Sequence, residues 1–147
     1  MNDNIKQLFR RVSLFRGLSD AQLERLATIT HSESYDADDV IFEQGVEGDK
    51  MYIVHSGQVE VQVKDHAGGI NSVLIMGEGQ MFGEMALLDE GVRSASVMAL
   101  SPGATLYTIS GADFKSLCQE DTAIGYMMMR NIALALSFKI RHQNSFS

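Results

Sequence analysis

From about Ser32 onward the apolar residues of this chain fall at alternate positions in runs too short for helices. Val40-Ile41-Phe42, Met51-Tyr52-Ile53-Val54, Val59-Val61-Val63 and Val73-Leu74-Ile75 follow one another closely. Gly45-Val46-Glu47-Gly48-Asp49, Ser56-Gly57 and Ala67-Gly68-Gly69 separate them. Period-two patterning of this length reads as strands, and the glycine-bearing interruptions read as turns. Two more strands are expected near residues 96–99 and 104–109, with Pro102-Gly103 turning between them. Many short strands joined by glycine turns point to a β-roll or sandwich, so the expected class is mainly β with flanking helices.

The flanks carry the other period. Ile5, Leu8, Phe9 and Val12 recur at helical spacing, and Ser19 three residues before Gln22 forms a capping-box pattern opening a second helix through Leu23, Leu26 and Ala27. Ser110 and Asp113 repeat that signal ahead of Phe114 and Leu117. A long helix is expected from about Thr122 to His142. Its apolar residues, among them Ile124, Met127, Met128, Ile132, Leu134, Leu136, Phe138 and Ile140, wrap much of the cylinder, which means burial on several sides. One side is expected on the β-roll and another on a partner helix, giving a homodimer that a charge at Met128 or Ile132 would break. The competing reading buries the helix wholly within the monomer. No regular heptad supports a free-standing coiled coil.

At 147 residues the chain suits one domain, divided as N-terminal helices 1–30, β-roll 31–109 and C-terminal helices 110–142. Its net charge of −7 and the lack of any basic cluster beyond Arg10-Arg11 argue against nucleic acid as a partner. No leader-like apolar segment opens the chain and no run approaches a membrane span, so no membrane association and a cytoplasmic location are expected. The single Cys118 excludes an internal disulfide and reads as a small core residue. His31, His55, His66 and His142 lack the paired spacing of a metal site, and no nucleophile–base motif stands out, so neither a metal nor a catalytic centre is expected.

The densest chemistry lies in residues 82–97, Phe-Gly-Glu-Met-Ala-Leu-Leu-Asp-Glu-Gly-Val-Arg-Ser-Ala-Ser-Val. A Gly-Glu pair precedes a short apolar helical turn, then come an acidic loop, one arginine and two small residues entering a strand. Backbone N–H groups at a helical N-terminus favour an anion. Arg93 can add a two-pronged contact to paired phosphate oxygens. Glu84 would repel a phosphate but is a strong acceptor for a ribose hydroxyl, so phosphate and ribose must lie side by side in the ligand. The alternative is a surface ion pair between Glu84 and Arg93, worth about 0–1 kcal/mol and silent about ligands.

Phe82-Gly83-Glu84-Met85-Ala86-Leu87-Leu88 through Arg93-Ser94-Ala95 resembles the phosphate-binding cassette of the cyclic nucleotide-binding domain family, which includes bacterial catabolite activators, regulatory subunits of cAMP-dependent kinase and nucleotide-gated channels. Glu43-Gln44-Gly45 and residues 53–61 resemble the glycine-marked turns that precede it. The resemblance implies a non-catalytic receptor whose ligand is cAMP first and cGMP second, with no separate cofactor. It implies that phosphate meets the backbone of residues 83–86, Arg93, the Ser94 hydroxyl and the Ala95 N–H, and that ribose meets Glu84 and Gly83. Phe82, Met85 and Ala86 belong to the same implied site. The family's last helix often covers the base, which implicates Lys139 and Ile140, although the threonine that the catabolite activator uses there is missing. The helix is also the expected moving part. A DNA-binding relative would continue into a helix-turn-helix, and only residues 143–147 follow here, so no DNA-binding domain is expected in this sequence. It reads either as a stand-alone sensor or as an N-terminal sensor cut from a longer protein. Two other readings are a β-roll dimerisation module without ligand and a cupin-like metalloenzyme.

Overall fold

The computed structural model describes residues 2–89 and 91–143. Residues 144–147, on which the expectation about a following domain rests, lie outside them. The chain divides into two compact units, one from residues 29–115 and one from its two ends, 1–28 and 116–147.

The first unit is the β-roll. It comprises β1 (Thr30–Asp36), β2 (Val40–Phe42), β3 (Lys50–Ser56), β4 (Val59–Lys64), β5 (Ile70–Met76), β6 (Met81–Phe82), β7 (Ser96–Ala99) and β8 (Gly103–Ser110). They form two four-stranded sheets, ordered β1-β8-β3-β6 and β2-β7-β4-β5, with every pair antiparallel. Between the sheets lies a core of Tyr52, Val54, Phe82, Ala104 and Leu106 from one and Val59, Val97 and Ala99 from the other. Alternate residues of each strand supply it, as a half-buried sheet requires.

Two strands do not follow the apolar pattern. β1 reads Thr-His-Ser-Glu-Ser-Tyr-Asp, and its pairing to β8 puts Glu33 opposite Leu106 and Tyr35 opposite Ala104, on the core side. Glu33 is accommodated there by Lys50, whose ammonium donates to it at 2.7 Å, and by the Tyr35 hydroxyl. β6 has only two residues. Gln44 acts as a substitute strand: its amide nitrogen donates to the Lys64 carbonyl at 3.1 Å while its oxygen accepts from the Lys64 N–H at 2.8 Å. Those two bonds close the end of β4 where its register to β5 shifts.

The second unit is helical. α1 (Asn2–Phe9) tightens into a turn in which Arg11 and Val12 donate to Leu8 and Phe9, and a single 3-10 turn, Ser13–Phe15, follows. α2 (Asp20–Thr28) opens on the expected capping box: the Ser19 N–H donates to Gln22 Oε1 at 2.8 Å and the Gln22 N–H to Ser19 Oγ at 3.2 Å. α3 (Gly111–Glu120) carries the chain from the roll into this unit, and α4 (Thr122–Gln143) completes it. Phe9 and Phe15 meet edge to face at 4.9 Å. Asn131 is buried, and its amide donates to the carbonyls of Leu14 (2.7 Å) and Arg16 (2.9 Å), joining the turn after α1 to α4. Arg25 reaches Asp121 at 3.1 Å and Glu120 at 3.3 Å.

The expected partner face of α4 is corrected. Met128 is 0% and Ile132 4% exposed, so both are already buried within a single copy of the chain. The apolar residues that α4 presents outward are Tyr126, Met129, Leu134, Phe138 and Ile140. No helix among the described residues is long and apolar enough to cross a membrane. Cys118 is half-buried, and burial pushes its thiol above the ordinary range.

Candidate functional site

β6 delivers the chain to Gly83, which takes a left-handed conformation (φ 74°, ψ 17°) and caps a 3-10 turn, Glu84–Leu87. Glycine is needed there for two reasons. The backbone conformation is strained for any side chain, and a Cβ at this position would stand 2.8 Å from Arg93 Nη1 and 3.3 Å from the Lys50 carbonyl. Glu84 opens the turn, half-buried, while Met85 faces outward and Ala86 and Leu87 are buried beneath it. The Ala86 N–H donates to the Gly83 carbonyl at 3.2 Å, so it closes the turn rather than standing open to a ligand. On its far side the turn rests on the start of α3: a Cβ at Gly111 would lie 2.6 Å from the Ala86 carbonyl oxygen, and the Gly111 N–H donates to Asp49 at 2.7 Å.

The loop between β2 and β3 holds Arg93 by its main chain. The Gly45 N–H donates to the Arg93 carbonyl at 2.8 Å, the Arg93 N–H to the Val46 carbonyl at 2.7 Å and the Gly48 N–H to the Gly91 carbonyl at 3.1 Å. Glu47 and Val92 form a β-bridge within the same clasp. The side chain of Arg93 is then led inward and is only 7% exposed. Its Nη2 donates to the Lys50 carbonyl at 2.7 Å, and Nη1 makes a long contact of 3.5 Å with the Gly83 carbonyl. The guanidinium carbon lies 4.1 Å from the centre of the Phe42 ring and 5.7 Å from that of Tyr52. Phe42, Tyr52 and Phe82 form one aromatic cluster, in which Tyr52 and Phe82 stack at 5.0 Å.

This arrangement leaves a charge short of compensation. Burial pulls the Arg93 pKa below its ordinary value, and Tyr52 and Asp49 act the other way. Arginine stays protonated regardless, so the shift expresses the cost of keeping a cation there. Nε is buried and has no hydrogen-bond partner among the described residues. A buried cation with an unspent donor is suited to receive an anion. The surface ion pair considered from sequence does not describe Arg93, which is not a surface group.

The other expected residues divide by exposure. Ser94 is exposed and Ala95 half-buried, directly after Arg93. Phe82 and Ala86 are 5% and 7% exposed, so their side chains serve as packing. Lys139 and Ile140 lie on exposed positions of α4 in the helical unit. Residues not anticipated from sequence stand around the arginine: Phe42 and Tyr52 beneath it, Gly48 against it and the Lys50 carbonyl accepting from it. The roll also shows an apolar strip on its inner face. Val59 is opposite Met76 and Val61 opposite Leu74, and cross-strand partners share a face. Val59 is fully buried, yet Leu74 on that same face is 52% exposed. A separate shallow depression of about 100 Å³, lined by residues such as Glu60, Gln62, Lys64 and Ser96, includes none of residues 82–95. Among the described residues no group of three or more His, Cys, Asp or Glu side chains is placed to hold a metal ion.

Residues 32–121 match the family model described as the cyclic nucleotide-binding domain. The chain is 31% identical over 117 residues to the cGMP-dependent protein kinase egl-4 of Caenorhabditis elegans, covering 79% of this chain and 15% of the kinase. It is 33% identical over 129 residues to the cyclic AMP receptor protein of Thermus thermophilus, covering 87% of this chain and 57% of that protein. Among solved structures, the Thermus thermophilus catabolite activator protein superposes with a TM-score of 0.80 at 30% identity, over 90% of this chain and 60% of that one. The N-terminal domain of a transcriptional regulator from Streptomyces coelicolor does so with a TM-score of 0.83 at 25% identity, over 92% and 94%. The chain thus spans less than two thirds of the length of each of these two curated relatives.

Proposed function

Because the chain belongs to the cyclic nucleotide-binding domain family, we propose that its β-roll receives a cyclic nucleotide at residues 83–95, cAMP first and cGMP second. The observation that carries this reading is Arg93: a buried guanidinium whose Nε has no partner among the described residues, beside a left-handed glycine and the glutamate that follows it. The anion that compensates this cation is the cyclic phosphate. Glu84 accepts from the ribose hydroxyl, and Ser94 and the Ala95 N–H complete the phosphate contacts. The half-exposed Leu74, with Val61 and Met76, supplies an apolar wall for the flat base. Lys139 and Ile140 remain the positions proposed to cover that base.

The proposed role is sensing without catalysis. The contact of the Ala86 carbonyl with Gly111 gives a filled cassette a mechanical route to α3 and onward to α4. The outward apolar residues of α4, Phe138 and Leu134 among them, are proposed to meet the same helix of a second copy, about the twofold axis usual for soluble homo-oligomers. The chain is read as one sensing module with no nucleic acid, membrane or separate cofactor as partner.

Calorimetric titration with cAMP, cGMP and the corresponding linear monophosphates tests the reading. A hydrogen bond to a charged group contributes about 1.5–3 kcal/mol, so Arg93→Ala is expected to weaken cyclic-nucleotide binding at least about tenfold without unfolding the roll. Equal binding by wild type and Arg93→Ala would remove the proposal.

A further inference from the structure

We infer that Phe42 is a positioning residue for Arg93: its ring forms the platform that fixes the guanidinium in place for an anion, and the affinity of the site depends on it. This inference rests on the reading of residues 83–95 as a cyclic-nucleotide site. Neither the spacing of the cassette nor its sequence points to Phe42, which reaches the arginine only through the topology of the roll.

Three observations converge. First, the guanidinium carbon lies 4.1 Å from the Phe42 ring centre, closer than to Tyr52, a distance at which the ring quadrupole attracts a planar cation. Second, Phe42 is itself held: it is paired with Val97 across the β2–β7 ladder, and its ring meets Tyr52 at 5.6 Å and Phe82 at 5.8 Å. Third, the guanidinium donates to the Lys50 and Gly83 carbonyls, and Nε has no hydrogen-bond partner among the described residues. The two carbonyls tie down the ends of the guanidinium, and a ring beneath its plane fixes its tilt and so the direction of the Nε donor.

The physical consequence is pre-organisation. Ordering an arginine on binding costs rotamer freedom, and a side chain already laid on a ring has met most of that cost before the ligand arrives. Aromatic stacking also shields the cation from water, which strengthens its attraction for an incoming phosphate. An aliphatic side chain of similar bulk fills the space but lacks the quadrupole.

The test is calorimetric titration of cAMP, then cGMP, into wild type, Phe42→Leu, Phe42→Tyr, Arg93→Lys and the Phe42→Leu/Arg93→Lys double variant. Phe42→Leu is expected to weaken binding about 3- to 25-fold, following the range for cation–aromatic contacts. Phe42→Tyr, which keeps the ring face, should restore affinity to within about threefold of wild type. In the Arg93→Lys background, Phe42→Leu should change affinity less than about twofold, since the planar cation is gone. A second readout is the Arg93 Nε–H proton in a nitrogen-resolved magnetic resonance spectrum of the ligand-free protein. The ring current of Phe42 should displace it, and the displacement should vanish in Phe42→Leu. If Phe42→Leu binds as tightly as wild type, or loses as much with lysine at 93, the inference is overturned while the cyclic-nucleotide reading stands. Wild type that takes up neither nucleotide overturns both.

Discussion

A Cβ atom on Gly48 would stand 1.9 Å from Nε of Arg93, 2.1 Å from Cζ and 2.6 Å from Cδ. The arginine therefore occupies the volume that any other residue at position 48 would need for its side chain. Gly48 is buried, and its N–H is tied to the Gly91 carbonyl, so the backbone has little freedom to withdraw. Gly48→Ala is expected to evict the guanidinium from its place over Phe42 while leaving the sheets intact. Cyclic-nucleotide affinity should fall at least about tenfold, comparable to losing one charge-assisted hydrogen bond. Titration beside a circular-dichroism melt would check it; an alanine variant with wild-type affinity would mean that the buried position of Arg93 is not the one that binds.

Glu84 opens the turn capped by Gly83, and its proposed partner is a ribose hydroxyl. The 2′-deoxy analogue should bind wild type more weakly than the parent nucleotide, because it lacks the hydroxyl that donates to this half-buried carboxylate. In Glu84→Gln that discrimination should shrink, since a hydroxyl bonds a neutral amide oxygen less strongly than a charged carboxylate. Equal discrimination by both proteins would show that another group reads the sugar.

Glu33 predicts a pH effect on stability. Burial alone would raise its carboxyl pKa, but hydrogen bonds from Lys50 and Tyr35 outweigh it and hold the pKa below the ordinary value of 4.5. A group with a depressed folded-state pKa contributes stability that is fully present above the ordinary value and is lost as pH falls through the folded one. Urea midpoints taken from pH 6 downward should therefore drop below about pH 4.5, and Glu33→Gln should flatten that limb. Lys50 gives the mirror case. Its hydrogen bond to Glu33 raises its pKa above 10.5, so its share is present below that value and fades as pH rises through the raised one.

Phe138, 62% exposed on α4, is the place to test self-association. Phe138→Asp should convert the proposed homodimer to a monomer by light scattering, and the monomer should still bind nucleotide because residues 83–95 lie in the roll. A wild-type protein that is monomeric at high concentration would defeat the dimer.

How much of this was legible in the sequence depended on contiguity and on pattern. The cassette could be read because its residues adjoin one another, and the capping boxes because Ser19 and Gln22, or Ser110 and Asp113, are three apart. Phe42, Gly48 and Lys50 could not be assigned to Arg93, since Lys50 is 43 positions away and only the clasp of residues 45–48 on 91–93 brings them together. β1 was invisible to hydrophobic periodicity because its core-side residues include Glu33 and Tyr35, made acceptable inside by Lys50. For α4 the apolar count was clear, but periodicity says which residues are apolar and not where the neighbouring elements stand. Met128 and Ile132 accordingly went to the interior and Phe138 and Leu134 to the outside.

Asn131 joins the turn after α1 to the middle of α4 by two hydrogen bonds from one amide. Within the helical unit the turn after α1 and the middle of α4 are thus riveted together, and neither can rotate alone without breaking these bonds. A fluorophore or spin label placed near the beginning of the chain would report the orientation of α4, with no need to disturb the helix that is proposed to carry the signal.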